Sequence, residues 1–258
     1  MTAILKSYLN QRLPKFISGS GRFLLDHLLP PRCLLCGAGA QDAGRLCGDC
    51  WKELTFLQGA CCACCGHPFD FDLPGGAAGA LCAACLKEKP PYDHARAALR
   101  YDDGSRRMII SFKHGDRTDY ADFFGQLLVQ AGHFYKEKDA IVIPVPLHKK
   151  RLRKRRYNQA ALMAQKFAEK TSRDYIPDML VRVKHTPPQE GNYDHRTRNV
   201  TGAFRLRDKY ADIITGRKII LIDDVYTTGA TAQSCARALR QAGASAVNLV
   251  ALARVCQT

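Results

Sequence analysis

A chain of 258 residues with 39 Lys and Arg against 24 Asp and Glu carries a formal net charge of +15, so the partners it favours are anions: nucleotides, pyrophosphate, nucleic acid or acidic lipid. Hydrophobic residues at 46% and charged residues at 24% exclude general disorder and allow one sizeable core with a small second module. No apolar run reaches the roughly 18 residues that a membrane span needs, and the nearest, Phe23 to Leu29, is interrupted by Asp26 and His27.

Residues 1–32 read as an amphipathic helical segment packed on the body. Lys6, Arg12, Lys15 and Arg22 precede apolar residues, but no signal-type apolar core or small-residue cleavage site follows, so the expected location is the cytoplasm.

Ten of the twelve cysteines lie between Cys33 and Cys85, which marks residues 33–90 as a module of their own. Four Cys-x-x-Cys pairs can be drawn: Cys33/Cys36, Cys47/Cys50, Cys62/Cys65 and Cys82/Cys85. Two residues between ligands let a tight turn aim both sulfurs at one ion, and two such pairs complete the four-thiolate site of structural zinc. The alternatives are an iron–sulfur cluster and disulfides, the latter poorly placed in a reducing compartment. If the eight thiolates hold two zinc ions, the effective charge falls to roughly +11. Cys61/Cys64 fits the spacing as well as Cys62/Cys65; Gly66 directly after the second sulfur favours the latter pair. Spacing leaves open whether the pairs combine sequentially or interleave.

The stretch Lys87-Glu88-Lys89-Pro90-Pro91 reads as a linker, and residues 91–258 as a second domain. Its expected elements are a strand over 95–101, a helix over 105–112 ending at Lys113, a helix over 122–135, and a short strand over 140–147 stopped by prolines. A basic run follows, with seven cations between Lys149 and Arg156, either a solvated helix start or an anion site. Ala160, Met163, Ala164 and Phe167 give the next helix its apolar face, and residues 185–199, with Pro187, Pro188 and Gly191, read as a mobile loop. Near the C-terminus come a strand over 218–222, a helix over 230–241 closed by Gly243 and a strand over 246–253. This strand–helix–strand order implies an α/β fold with a parallel sheet.

The densest chemistry lies at Asp223-Asp224-Val225-Tyr226-Thr227-Thr228-Gly229-Ala230-Thr231. A buried strand delivers two carboxylates at its C-terminal end, where ligands of open α/β sheets bind. Paired carboxylates suit vicinal hydroxyl donors. The turn Thr227-Thr228-Gly229-Ala230-Thr231 offers hydroxyls and close-packed N–H groups at a helix start, a cradle for a phosphate dianion.

Residues 219–231 resemble the phosphoribosyl pyrophosphate signature of type I phosphoribosyltransferases. Together with the cysteine pairs, Ile143-Pro144-Val145-Pro146-Leu147, Arg155-Arg156-Tyr157-Asn158-Gln159, Thr186-Pro187-Pro188-Gln189 and Arg196-Thr197-Arg198-Asn199, they resemble the ComF family of bacterial competence proteins. The resemblance implies a type I phosphoribosyltransferase domain preceded by a double zinc ribbon. It implies that Asp223 and Asp224 bind ribose hydroxyls, that Thr227, Thr228, Gly229, Ala230 and Thr231 bind the 5′-phosphate, and that Lys113 serves the pyrophosphate, with Mg2+ accompanying the ligand. The family usually has Arg-Gly-Phe-Asn-Gln where this chain has Arg155 to Gln159, so Arg156 replaces a glycine.

Two functions fit. One is an enzyme that displaces pyrophosphate from the ribose with an unidentified nitrogen acceptor. The other is a non-catalytic sensor of phosphoribosyl pyrophosphate whose basic surface meets single-stranded DNA, with other competence proteins as partners in natural transformation.

Overall fold

The computed structural model describes residues 30–69, 78–114, 117–184 and 202–256. Nearly all of the expected N-terminal segment and the whole loop expected over 185–199 lie outside the described residues. Short helices α1 (Gly48–Lys52) and α2 (Ala83–Lys87) belong to the cysteine-rich part. Strand β1 (His94–Arg100) then leads into α3 (Asp103–His114) and α4 (Tyr120–Gly132), and β2 (Ile141–Pro144) into α5 (Lys149–Arg155) and α6 (Gln159–Thr171). Strands β3 (Leu180–Arg182) and β4 (Phe204–Leu206) and helix α7 (Ala211–Ile214) precede β5 (Lys218–Tyr226), α8 (Ala230–Gln241) and β6 (Ala246–Arg254).

Four strands form a parallel sheet in the order β1-β6-β5-β2, while β3 and β4 make a separate antiparallel pair. A parallel return needs a crossover, and α8 supplies it between β5 and β6, setting Ile219 opposite Val247 and Ile222 opposite Val250. These central strands are covered on both faces, which is why they read as continuous apolar runs. Ile220, Ile222, Val250 and Leu252 pack with Phe123, Phe124, Leu127, Met163 and Phe167 of α4 and α6. Ile219, Leu221, Leu249 and Ala251 pack on the opposite face with Ala232, Cys235, Ala236 and Leu239 of α8. Each large side chain fully buried in this way contributes about 1.5–3 kcal/mol.

The element types follow the sequence, and two boundaries differ in a way that matters. Strand β2 stops at Pro144, short of the expected Leu147, because Pro144 and Pro146 bring no N–H to the ladder. Strand β5 runs four residues past the expected Ile222, held on one side only, where Asp223 pairs with Ala251 and Tyr226 with Arg254 of β6. The two carboxylates therefore sit on an ordered strand whose β2-side neighbour has just ended.

The cysteine-rich part is built into the body. Thr55 to Leu57 run along the outer edge of β1, Leu57 N–H donating to the Ala98 carbonyl at 3.0 Å and Arg100 N–H to that of Thr55 at 2.8 Å. Cys33, Leu34, Leu46, Cys50 and Leu54 join the core on the α4 face; Cys62, Cys64, Cys65, Cys85 and Tyr92 join the core on the α8 face. The edge strand is thereby covered, which removes a template for unwanted pairing.

Candidate functional site

Two clusters of four thiols are present, Cys33 with Cys36, Cys47 and Cys50, and Cys62 with Cys65, Cys82 and Cys85; within each, all sulfurs lie within 4.8 Å of one another. The pairs therefore combine sequentially. The local chain is the same in both. Gly37 and Gly66, at φ +76° and +70°, follow the second cysteine, and their N–H groups donate to the carbonyls of Cys33 and Cys62 at 3.0 and 2.9 Å. The second pair of each cluster starts at the N-cap of a short helix, Cys47 for α1 and Cys82 for α2. This duplication is hidden in the sequence because the copies share little beyond Cys and Gly.

Tetrahedral zinc with bonds of about 2.3 Å needs sulfurs roughly 3.8 Å apart. The closest pairs, Cys36 with Cys47 and Cys65 with Cys82, are 3.6 Å apart, so both sites fit the ion. Burial alone would raise the Cys33 thiol, but N–H groups of Cys36, Cys47 and Leu35 outweigh it and bring it down to about 6. Likewise burial opposes, and N–H groups of Cys82, Cys65 and Cys64 overcome, a shift of Cys62 down to about 7. Among Cys61 and Cys64, the alternative ligands, Cys61 bridges Pro68 and Cys64 gives its carbonyl to Ala95 N–H at 2.7 Å. A Cβ on Gly66 would stand 3.3 Å from the Ala95 carbonyl carbon, so a glycine is required there by both φ and space.

At the other centre, Lys113 from the end of α3 meets Asp224 with Nζ 2.6 Å from Oδ2, both side chains about a fifth exposed at 19% and 21%. The Asp223 carboxylate accepts from the Asp224 N–H at 2.9 Å. Burial, then the neighbouring Asp224 charge, push Asp223 up to about 7, against the opposing pull of Lys113 and Arg182. Thr227, Thr228 and Thr231 are half-buried at the head of α8, whose N-cap, Gly229, has φ +79°. A Cβ on Gly229 would lie 2.7 Å from Cζ of Tyr226, so the turn closes this tightly only with glycine. The structure thus brings Lys113, Asp223 and Asp224 together, with the threonine turn directly after them in the chain.

Several contacts escaped the sequence reading, even where it had singled out the residues. Tyr157 Oη donates to the Phe112 carbonyl at 2.7 Å, Gln159 Nε2 to that of Lys113 at 3.4 Å, and Asn158 Nδ2 to that of Val145 at 3.1 Å. These three residues tie the end of α3 to the loop after β2 and hold Lys113 in reach of Asp224. Just before them, Arg156 takes φ +64°, a conformation that costs a non-glycine residue roughly 1–2 kcal/mol. Arg182, 9% exposed on β3, adds a second cation near Asp223; burial and then Arg151 hold its pKa below the usual value. Its role was invisible because β3 lies far from the diacid in sequence. A groove of about 770 Å3 lined by Phe56, Cys61, Arg96 and Phe134 shares no residue with the diacid or the threonine turn.

Residues 24–86 match the family model of a double zinc ribbon domain, which agrees with the two four-thiol clusters. Competence protein F of Haemophilus influenzae is 29% identical over 231 residues, covering 86% of this chain and 96% of that protein. Competence protein ComFC of Bacillus subtilis is 27% identical over 237 residues, covering 83% and 90%. Over most of its length the chain is similar to the ComF competence proteins. Another ComF-like relative, the DNA utilization protein YhgH of Escherichia coli K12, is 27% identical over 233 residues, covering 88% and 98%. Among solved structures, the glutamine phosphoribosylpyrophosphate amidotransferase of B. subtilis overlaps 55% of this chain and 30% of its own at 16% identity and a TM-score of 0.37, too loose a match to carry weight. The α/β architecture, a parallel sheet preceded by two four-cysteine clusters of double zinc ribbon type, is the fold class expected from the sequence. Among the described residues no helix is long and apolar enough to cross a membrane.

Proposed function

We propose that this protein, like the ComF proteins in sequence, binds phosphoribosyl pyrophosphate, with Mg2+, between Asp223–Asp224 and the Thr227–Thr231 turn, and that it serves DNA uptake in the cytoplasm. The observation that carries the reading is the diacid on the end of β5 that only β6 pairs, immediately before a glycine-capped helix. Ionised carboxylates accept from the two ribose hydroxyls, and N–H groups at the head of α8 with three threonine hydroxyls meet the 5′-phosphate. Lys113 is a cation that would exchange Asp224 for the pyrophosphate, stabilising charge as it develops on that leaving group. Positioning of sugar, phosphate and pyrophosphate would supply most of the rate for transfer to a nitrogen acceptor.

The link to DNA rests on what the relatives are called, competence and DNA utilization proteins. A second, non-catalytic reading draws on α5, Lys149–Arg155, where Lys149, Lys150 and Arg153 are exposed and suit the backbone of single-stranded DNA. Thermal denaturation tests the shared part. Phosphoribosyl pyrophosphate with Mg2+ at about 100 times its Kd should stabilise the protein by about 2.7 kcal/mol. An unmoved midpoint at millimolar ligand would remove both readings. Pyrophosphate released on adding a nucleobase would favour the enzyme; binding without release, with DNA affinity falling steeply in salt, would favour the sensor.

A further inference from the structure

Arg254, the last residue of β6, is 8% exposed, and a buried guanidinium needs an anion or a set of acceptors near it. Its Nη1 donates to the Cys65 carbonyl at 2.6 Å and its Nη2 lies 3.6 Å from Cys65 Sγ. The same guanidinium stands over the Tyr226 ring at 4.4 Å. Tyr226 in turn shares a 2.7 Å hydroxyl contact with Tyr92, and its ring is the surface against which Gly229 closes. One unbroken line of contacts therefore runs from a ligand of the second thiol cluster through Arg254 and Tyr226 to the N-cap of α8. No described contact of the first cluster reaches that turn: Leu34 beside it is held instead by Tyr120 and Arg117 at 2.5 and 2.9 Å.

A four-thiolate zinc site carries a net charge of about −2, which is the counter-charge a buried arginine requires. Without it, Arg254 would keep the Cys65 carbonyl, the Cys65 sulfur and the Tyr226 ring but lose the counter-charge, and would have reason to move. Because Tyr226 is the wall of the Gly229 turn, movement of Arg254 changes the turn.

We propose that Arg254 is a positioning residue through which zinc in the second ribbon, Cys62 with Cys65, Cys82 and Cys85, holds the Thr227–Thr231 turn in its ligand-binding shape, while zinc in the first ribbon does not. The effect on ligand rests on the phosphoribosyl reading above; the effect on the turn does not. Linkage is reciprocal, so ligand at the turn must tighten zinc in the second ribbon by the factor that zinc tightens ligand, about 5- to 150-fold for a typical coupling.

Two measurements on the full chain decide it. In the first, zinc is withdrawn by a chelator with and without saturating phosphoribosyl pyrophosphate, and newly freed cysteines are alkylated and located by peptide mass. Slowed release confined to Cys62, Cys65, Cys82 and Cys85 is expected; equal slowing of both ribbons, or of neither while ligand is bound, overturns the proposal. In the second, amide hydrogen exchange over residues 226–231 is compared in the native protein and Arg254→Met, with Arg254→Lys restoring charge alone. Faster exchange in Arg254→Met, partly reversed in Arg254→Lys, is expected with no ligand present. Unchanged exchange overturns the proposal, and faster exchange in a protein that binds no phosphoribosyl pyrophosphate leaves the relay standing while removing the phosphoribosyl reading.

Discussion

Asp223 is the residue whose chemistry is set most strongly by its surroundings. Burial and the adjacent Asp224 charge raise its pKa to about 7, above the ordinary carboxylate value. A raised folded-state pKa means that the folded protein prefers the neutral acid, so this group lowers stability progressively as pH rises from about 4 through 7. Binding runs the other way, because a hydroxyl donor is met best by the ionised form. Affinity for phosphoribosyl pyrophosphate is expected to rise about tenfold between about pH 6 and pH 8, as Asp223 loses its proton. Calorimetric titration at the two values checks this, and a flat profile in native protein contradicts it. That two acids stand together at the end of an apolar strand is legible in the sequence, and nothing structural requires them there. That Asp223 is pushed up is not legible, because the push depends on its depth, against the opposing pull of Lys113 and Arg182 from other elements.

Among the elements, each zinc ribbon is a turn, a glycine and a short helix that cannot bury enough apolar surface to fold alone. The structure solves this by giving each ribbon to a different core, the first to the α4 face and the second to the α8 face. Cys50→Ser and Cys85→Ser should each lose about one zinc per chain, measured by elemental analysis, and lower the melting temperature. Retention of both ions in either variant contradicts the ligand assignment. The knuckle spacing made the eight thiols of the two clusters readable, and Gly66 separated Cys62/Cys65 from the neighbouring pair, because a positive φ after the second sulfur is a local need. The attachment of the ribbons was not readable: the proline-containing stretch 87–91 looks like a linker by composition, yet Tyr92 directly after it is fully buried at 1% exposure. Strand β5 was cut short in the sequence reading for the opposite reason. Charge at Asp223 and Asp224 looks like a strand end locally, whereas pairing with β6 carries the strand on to Tyr226.

At the scale of the whole molecule, the parallel sheet, the ribbons and the threonine turn are one connected body in which the last strand contributes to all three. The crossover order was legible because apolar runs alternate with helical periodicity from β1 to β6. Long-range pairs such as Tyr92 with Tyr226 and Arg254 with Cys65 leave no periodic trace and appear only when the chain is folded. The central claim is that the diacid and the turn after it form a phosphoribosyl pyrophosphate site. It is tested most directly by calorimetric titration of the zinc-loaded protein with phosphoribosyl pyrophosphate and Mg2+, beside the double variant Asp223→Asn with Asp224→Asn. Saturable binding by the native protein, absent in a folded variant that keeps both zinc ions, is the predicted result. No binding by the native protein, or equal binding by the variant, would contradict the claim.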